Sequence, residues 1–139
     1  MSARRSRLMN WLNGTFGLLG FVLAAYGVML GWLWLAQEKL LFAPTVLPQQ
    51  LQLANGTDIH ESWVEVPGAR LSALHLRLPD PKGVVFFLHG NGGSLQSWFV
   101  KPDLYRRANV DLFMIDYRGY GKSSGKIESQ AQLQADVRA

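Results

Sequence analysis

The chain is 139 residues long, enough for one domain with an appendage and too short for two. Its formal charge of +4 is unevenly spread: Arg4, Arg5 and Arg7 precede every acidic residue, and the other eleven Lys and Arg (14 less three) face ten Asp and Glu. So neutral a body excludes a basic nucleic-acid face, and the absence of cysteine excludes disulfides, thiolate metal sites and a cysteine nucleophile.

Residues 1–14 read as a basic head, and residues 8–37 are thirty positions without a charge. The most apolar part, 15–36, has 22 residues. As a helix it spans roughly 33 Å, enough to cross a bilayer core. Trp11 at one end and Trp32 and Trp34 at the other suit the interfacial aromatic belts. A cleaved signal peptide is the rival reading. Its apolar region is usually about 7–15 residues and ends at an A-x-A-like site, and no convincing site is present. The three arginines predict a single pass with the N-terminus in the cytoplasm and the rest on the far side of the membrane. A bacterial inner membrane, with the domain on its periplasmic face, is the favoured setting. The lipid bilayer is thus one expected partner. Gly17, Gly20, Ala24, Gly27 and Gly31 recur every three or four residues. Self-association through Gly20, Ala24, Gly27 and Gly31 is one reading of that stripe; the other is that glycine is simply frequent in membrane helices.

Residues 37–60 read as a juxtamembrane connector. Pro44 and Pro48 oppose a continuing helix, while Leu40, Leu41 and Phe42 would rest on the bilayer or on the domain. Asn13-Gly14-Thr15 and Asn55-Gly56-Thr57 match the glycosylation sequon, and neither is expected to be used. The domain proper is expected from 61 to 139. Residues 63–66 and 71–78 alternate apolar and polar around Pro67-Gly68-Ala69-Arg70, which predicts a half-exposed antiparallel hairpin. His60 and His75 fall here and read as ordinary surface residues. Residues 79–83 form a turn cluster.

Positions 84–88 are then five apolar residues in a row. The run is too short for a helix and lacks alternation, so it predicts a strand buried on both faces of a parallel sheet. It stops in His89-Gly90-Asn91-Gly92-Gly93, where glycine frees the backbone for close approach. Loops at the carboxyl ends of strands are where open α/β sheets bind ligands. Their N–H groups can converge on an anion or on an oxyanion that develops during a reaction. A tight turn before a helix is the plainer reading, and anion or nucleotide binding by Asn91-Gly92-Gly93 is a third. Residues 94–107 predict a helix that Pro102 splits in two. A second apolar run, 110–115, closes in Asp116-Tyr117-Arg118-Gly119-Tyr120-Gly121-Lys122-Ser123. Residues 128–137 have helical composition.

These two motifs, about 25 residues apart, resemble the α/β-hydrolase superfamily. The nearest branch is its membrane-anchored serine hydrolases, similar to the serine aminopeptidase and proline iminopeptidase group, and the resemblance covers about residues 38–139. It implies an α/β fold: the N-terminal part of a hydrolase sheet, with an antiparallel hairpin leading into parallel strands with helices, preceded by one transmembrane helix. It implies that the 84–88 strand lies beside the 110–115 strand, with a nucleophile-bearing strand on its other flank. It also implies that the backbone N–H of Asn91, or alternatively of Gly92, is the first oxyanion-hole donor. Gly121-Lys122-Ser123-Ser124-Gly125 satisfies G-x-S-x-G. A nucleophile elbow, however, needs its serine directly between strand and helix, and in the family this loop follows the strand before the nucleophile strand. A Walker A reading of Gly121-Lys122-Ser123 fails because Asp116 stands where an earlier glycine is required. His89 reads as a brace for the loop, since the catalytic base comes last in this family's order. Asp116 reads as a partner of Arg118 or a cap on the next turn, ahead of a catalytic acid.

The expected function is therefore that of an N-terminal fragment of a membrane-anchored serine hydrolase. The substrate would be a small-molecule or peptide ester, thioester or amide, and neither cofactor nor metal is implied. The oxyanion loop is present; nucleophile, acid and base are absent from this sequence. The alternative is a non-catalytic membrane-anchored interaction module with a degenerate hydrolase-like domain.

Overall fold

The computed structural model describes residues 2–139, with side chains described from Trp11 onward except those of Leu12 and Glu38. The side chains of Arg4, Arg5 and Arg7 thus lie outside the described residues. The chain divides into two units, residues 1–41 and 42–139. The first is one helix, α1 (Ser2–Leu41). Within it Asn13–Gln37 is long and apolar enough to cross a membrane, with none of its most apolar window buried. Phe16, Phe21, Val28, Trp34 and Leu35 are all exposed, and a helix apolar all round needs an apolar surrounding, a bilayer or other protein. Helix α1 runs on beyond the expected span, through Gln37 to Leu41.

The second unit begins where a connector was expected, and that stretch is built into the fold. It supplies β1 (Ala43–Pro44), which pairs in parallel with β5 (Gly92–Gly93). The N–H groups of Ala43 and Thr45 donate to Asn91 O and Gly93 O at 2.9 and 2.8 Å. Gly121 N–H donates to Thr45 O at 2.9 Å, and Leu47 N–H to Gly121 O at 2.8 Å. Residues 43–47 thus run past both loops that the sequence singled out. Pro44 is tolerated because the donors used along this edge are 43, 45 and 47.

The main sheet has four strands in the order β2-β3-β6-β4. Strands β2 (Ile59–Val66) and β3 (Ala69–Leu76) form the expected hairpin, from Val66↔Ala69 at the turn to Ile59↔Leu76. Strand β6 (Asp111–Ile115) pairs antiparallel with β3 and parallel with β4 (Val84–Phe87), in the register Val84↔Asp111 to Phe87↔Met114. The adjacency implied for the 84–88 and 110–115 strands is therefore present.

Two expectations about burial are corrected. Strand β3 is not half exposed: Leu71, Ser72, Ala73, Leu74 and Leu76 are all inaccessible, because β6 lies on its other edge and makes it an inner strand. Conversely, the 84–88 strand is not buried on both faces. Val84, Phe86 and Leu88 are 62%, 42% and 43% exposed. Strand β4 closes the sheet, and its outer edge has no partner among the described residues. Leu74 and Leu76 of β3 and Leu112 and Met114 of β6 pack on one face with Ile59 and Leu95. Leu71, Ala73 and Ile115 pack on the other with Val66.

Helices α2 (Leu95–Trp98) and α3 (Pro102–Ala108) realise the split at Pro102. They cover the first face through Leu95, Phe99 and Tyr105. Arg106 of α3 reaches Asp58 through two hydrogen bonds of 2.7 and 2.8 Å. Helix α4 (Gln130–Val137) lies on the second face through Val137.

An uncharged, unpaired strand edge is a template for association. A few hundred Å² of apolar surface left in water is worth about 5–10 kcal/mol, comparable to a domain's whole stability. Residues 38–139 expressed without the anchor should therefore be insoluble, or soluble without a cooperative unfolding transition. Val84→Lys with Phe86→Lys should reduce the association. A monomer with a sharp thermal transition in the parent chain would contradict this reading of the edge.

Candidate functional site

Because β4 and β6 are parallel neighbours, their carboxyl ends lie at the same end of the sheet. That places the 89–93 loop beside the 116–123 loop, and the contacts between them are made by rings. His89 is buried, 4% exposed. Its ring centroid lies 4.4 Å from Tyr117, 5.4 Å from Tyr120 and 6.2 Å from Trp98, with which it is stacked.

Four consecutive carbonyl oxygens of the first loop each accept a hydrogen bond from one of these rings. Tyr117 Oη–H donates to His89 O at 2.8 Å, and His89 Nδ1 to Gly90 O at 2.7 Å. Tyr120 Oη–H donates to Asn91 O at 2.7 Å, and Trp98 Nε1–H to Gly92 O at 2.6 Å. Asn91 O also receives Ala43 N–H. Burial pushes the Tyr117 phenol above its ordinary pKa; burial, and then the neighbouring Tyr117, do the same for Tyr120. Both remain neutral donors. Among the described residues there is no cis peptide bond, and in a trans peptide N–H and C=O point in opposite directions. Fixing these carbonyls therefore turns the Asn91 N–H away from the His89 ring and the Gly92 N–H away from Tyr120 and Ala43. Asn91 itself is exposed.

The second loop owes its path to Gly121. This residue has φ +51°, and a Cβ there would overlap the Asp116 carboxylate. Asp116 is wholly buried. Its Oδ1 accepts Leu95 N–H at 2.8 Å and lies 3.3 Å from His89 Nε2. The expected pairing with Arg118, or cap on the next turn, is thereby corrected: Asp116 holds the start of α2, across the sheet end. Arg118 instead makes a buried two-pronged pair with Asp136 of α4, at 2.6 and 2.8 Å, and donates to Pro67 O. Nothing in the 116–123 motif could announce a partner that arrives from α4.

Ser123 Oγ accepts Ser72 N–H and donates to Asp116 O, both at 2.8 Å, and Ser124 Oγ accepts Arg70 N–H at 2.9 Å. These hydroxyls take the place of a neighbouring strand beside β3, beyond the end of β6. Lys122 Nζ is buried against Leu51 O and the Glu61 carboxylate. Burial alone would raise the Glu61 pKa, but Lys122 and the N–H groups of Leu53 and Ala54 outweigh it and hold it below its ordinary value. His75 is more than a surface residue. It contacts Asp111 at 3.1 Å and meets the Phe113 ring edge-on at 5.5 Å. Asp111 begins β6, so this pair sits at the opposite end of the sheet from the loop. His60 lies across from His75 in the hairpin.

Asn91 and Gly92, the residues expected at the site, share their loop with His89, which lies against Asp116, while Ser123, set aside as a nucleophile, bonds to backbone groups. Sequence reasoning missed Tyr117, Tyr120 and Trp98. The signal available was three ring donors flanking a glycine-rich loop.

No family model matches the chain. It is similar to Alpha/beta hydrolase domain-containing protein 17B of Xenopus tropicalis, 38% identical over 76 residues, 52% of this chain and 25% of that protein. The human protein of the same name is 37% identical over 76 residues, again 52% of this chain and 25% of the relative. Alpha/beta hydrolase domain-containing protein 17C of Mus musculus is 38% identical over 74 residues, 50% of this chain and 22% of its own length. The chain thus spans about a quarter of the length of the curated relatives it matches. Among solved structures, an alpha-beta hydrolase from Vibrio vulnificus aligns with a TM-score of 0.49 and 24% identity, over 58% of this chain and 28% of that one.

Proposed function

We propose that the globular unit is of the α/β-hydrolase superfamily, and that this chain supplies the membrane anchor and the oxyanion loop of a serine hydrolase. The substrate is an ester, thioester or amide. In this reading no residue of this sequence is assigned as the serine nucleophile, its acid or its base. The branch closest to this reading is that of membrane-anchored serine aminopeptidases. One observation supports the proposal: ring donors hold four successive carbonyls, those of residues 89–92, and so fix the orientation of the peptide planes of the loop. As the carbonyl carbon becomes tetrahedral its oxygen gains charge. The Asn91 N–H, with Gly92 N–H as the alternative, would meet that charge without reorganisation.

The engagement of Ser94, Ser97, Ser123 and Ser124 with backbone groups and with one another favours a second reading for the 139 residues alone. In that reading the chain is a non-catalytic membrane-anchored interaction module. The two separate in an enzyme that includes the missing triad. Asn91→Pro removes the donating N–H and should lower kcat about 10²–10³-fold, the usual effect of losing one such donor. Asn91→Ala keeps the N–H and should cost far less. Equal, small losses would end the oxyanion assignment. A chain that never labels with a fluorophosphonate probe, even at full reading-frame length, would favour the interaction module.

The same proposal puts α1 across a bilayer with the arginine head in the cytoplasm, the globular unit on the other side. Protease added to sealed vesicles should digest residues beyond 41 only from the non-cytoplasmic face. Digestion from the cytoplasmic face alone would reverse the topology.

A further inference from the structure

Behind the 89–93 loop two ionisable side chains meet with no access to solvent. The His89 and Asp116 side chains are both 0% exposed, and Nε2 lies 3.3 Å from Oδ1. His89 Nδ1 is 2.7 Å from Gly90 O. A carbonyl oxygen can only accept, so Nδ1 carries a hydrogen. With Nε2 bare, the ring 3.3 Å from Oδ1 would be uncharged, and the carboxylate would lie in the interior without a countercharge. That arrangement is strongly unfavourable. The neighbouring cations are committed elsewhere: Arg118 to Asp136 and Lys122 to Glu61. Tyr117 and Tyr120, the other titratable groups facing the ring, donate to carbonyls. Neither His89 Nε2 nor Asp116 Oδ2 has an aligned hydrogen-bond partner, so charge rather than direction must hold the pair.

We infer that His89 carries protons on both ring nitrogens in the folded chain, so that a buried imidazolium–carboxylate pair with Asp116 stands behind the loop. The proton sits on the ring because each partner's remaining bond favours its ionised form. Leu95 N–H donates to the carboxylate, and Gly90 O accepts from the imidazolium. The consequence for the loop rests on the oxyanion reading. A charge-assisted bond into Gly90 O polarises the Gly90–Asn91 peptide and makes its N–H, that of Asn91, a stronger donor. His89 is then a positioning residue and Asp116 its countercharge, neither touching substrate.

The test needs no substrate, so an inactive protein leaves it standing. The full chain, with ¹⁵N-labelled histidine and held in lipid nanodiscs at pH 7, is observed by NMR through its ring nitrogens. His60→Gln and His75→Gln each remove one of the other two signals and so assign His89. Both His89 nitrogens should appear protonated, each with a directly bonded hydrogen. In Asp116→Asn the hydrogen on Nε2 should be lost. One unprotonated nitrogen in the parent chain would overturn the inference, as would two persistent protons in Asp116→Asn. Should that variant fail to fold, the parent spectrum decides alone.

Discussion

Four peptide planes held from behind are the constraint on which the rest of the globular unit depends. The carbonyls of residues 89–92 are each fixed by a ring donor, and three of those rings stand outside the loop itself. Tyr117 and Tyr120 reach it because β6 runs parallel to β4 and ends beside it. Tyr120 is buried in turn because Gly121 bends the second loop through a left-handed conformation over the Asp116 carboxylate. Trp98 reaches it because Asp116 pins the first residue of α2. The extended residues 43–47 then tie both loops from one edge. Remove the geometry at 89–92 and the second motif loses its purpose, since Tyr117, Tyr120, Gly121 and Asp116 all serve that one turn.

The sheet that carries this arrangement was largely legible in the residues. Alternation gave the hairpin, unbroken apolar runs gave β4 and β6, and Pro102 divided the intervening helix where its ring and missing N–H require. Burial was less legible, because a run such as 84–88 states how apolar a strand is and not how many neighbours it has. In this structure β4 ends the sheet and β3 lies inside it, the reverse of what their patterns suggest. The stretch 43–47 was unreadable for a related reason. Prolines signal the absence of helix, and nothing local reveals that alternate N–H groups will find a loop some fifty residues away.

The site was legible as a loop and not as a mechanism. The glycines at 90, 92 and 93 announce backbone freedom, yet what they are used for depends on donors that arrive from 98, 117 and 120. Asp116 shows the same limit. Its neighbour in sequence, Arg118, is the obvious partner, but Arg118 is taken by Asp136 and the carboxylate faces a histidine. A buried charge finds its partner through tertiary packing, so spacing alone selects the wrong one. The N-terminal helix is different in kind: thirty uncharged residues mark, without tertiary information, a helix long and apolar enough to cross a membrane, and α1 contains such a span.

Amide hydrogen exchange at Ala43 and Thr45, whose N–H groups donate to Asn91 O and Gly93 O, tests the central claim most directly in the full chain held in lipid nanodiscs. Tyr120→Phe removes one hydroxyl and keeps the buried ring. A hydrogen bond worth about 0.5–1.5 kcal/mol net should then be lost from the loop alone. Exchange of the Ala43 and Thr45 amides should quicken about 2–10-fold, with the amides of β2 and β3 unchanged. Identical protection of Ala43 and Thr45 in the two proteins would show that the peptide planes of the 89–93 loop are fixed by something other than the rings behind it.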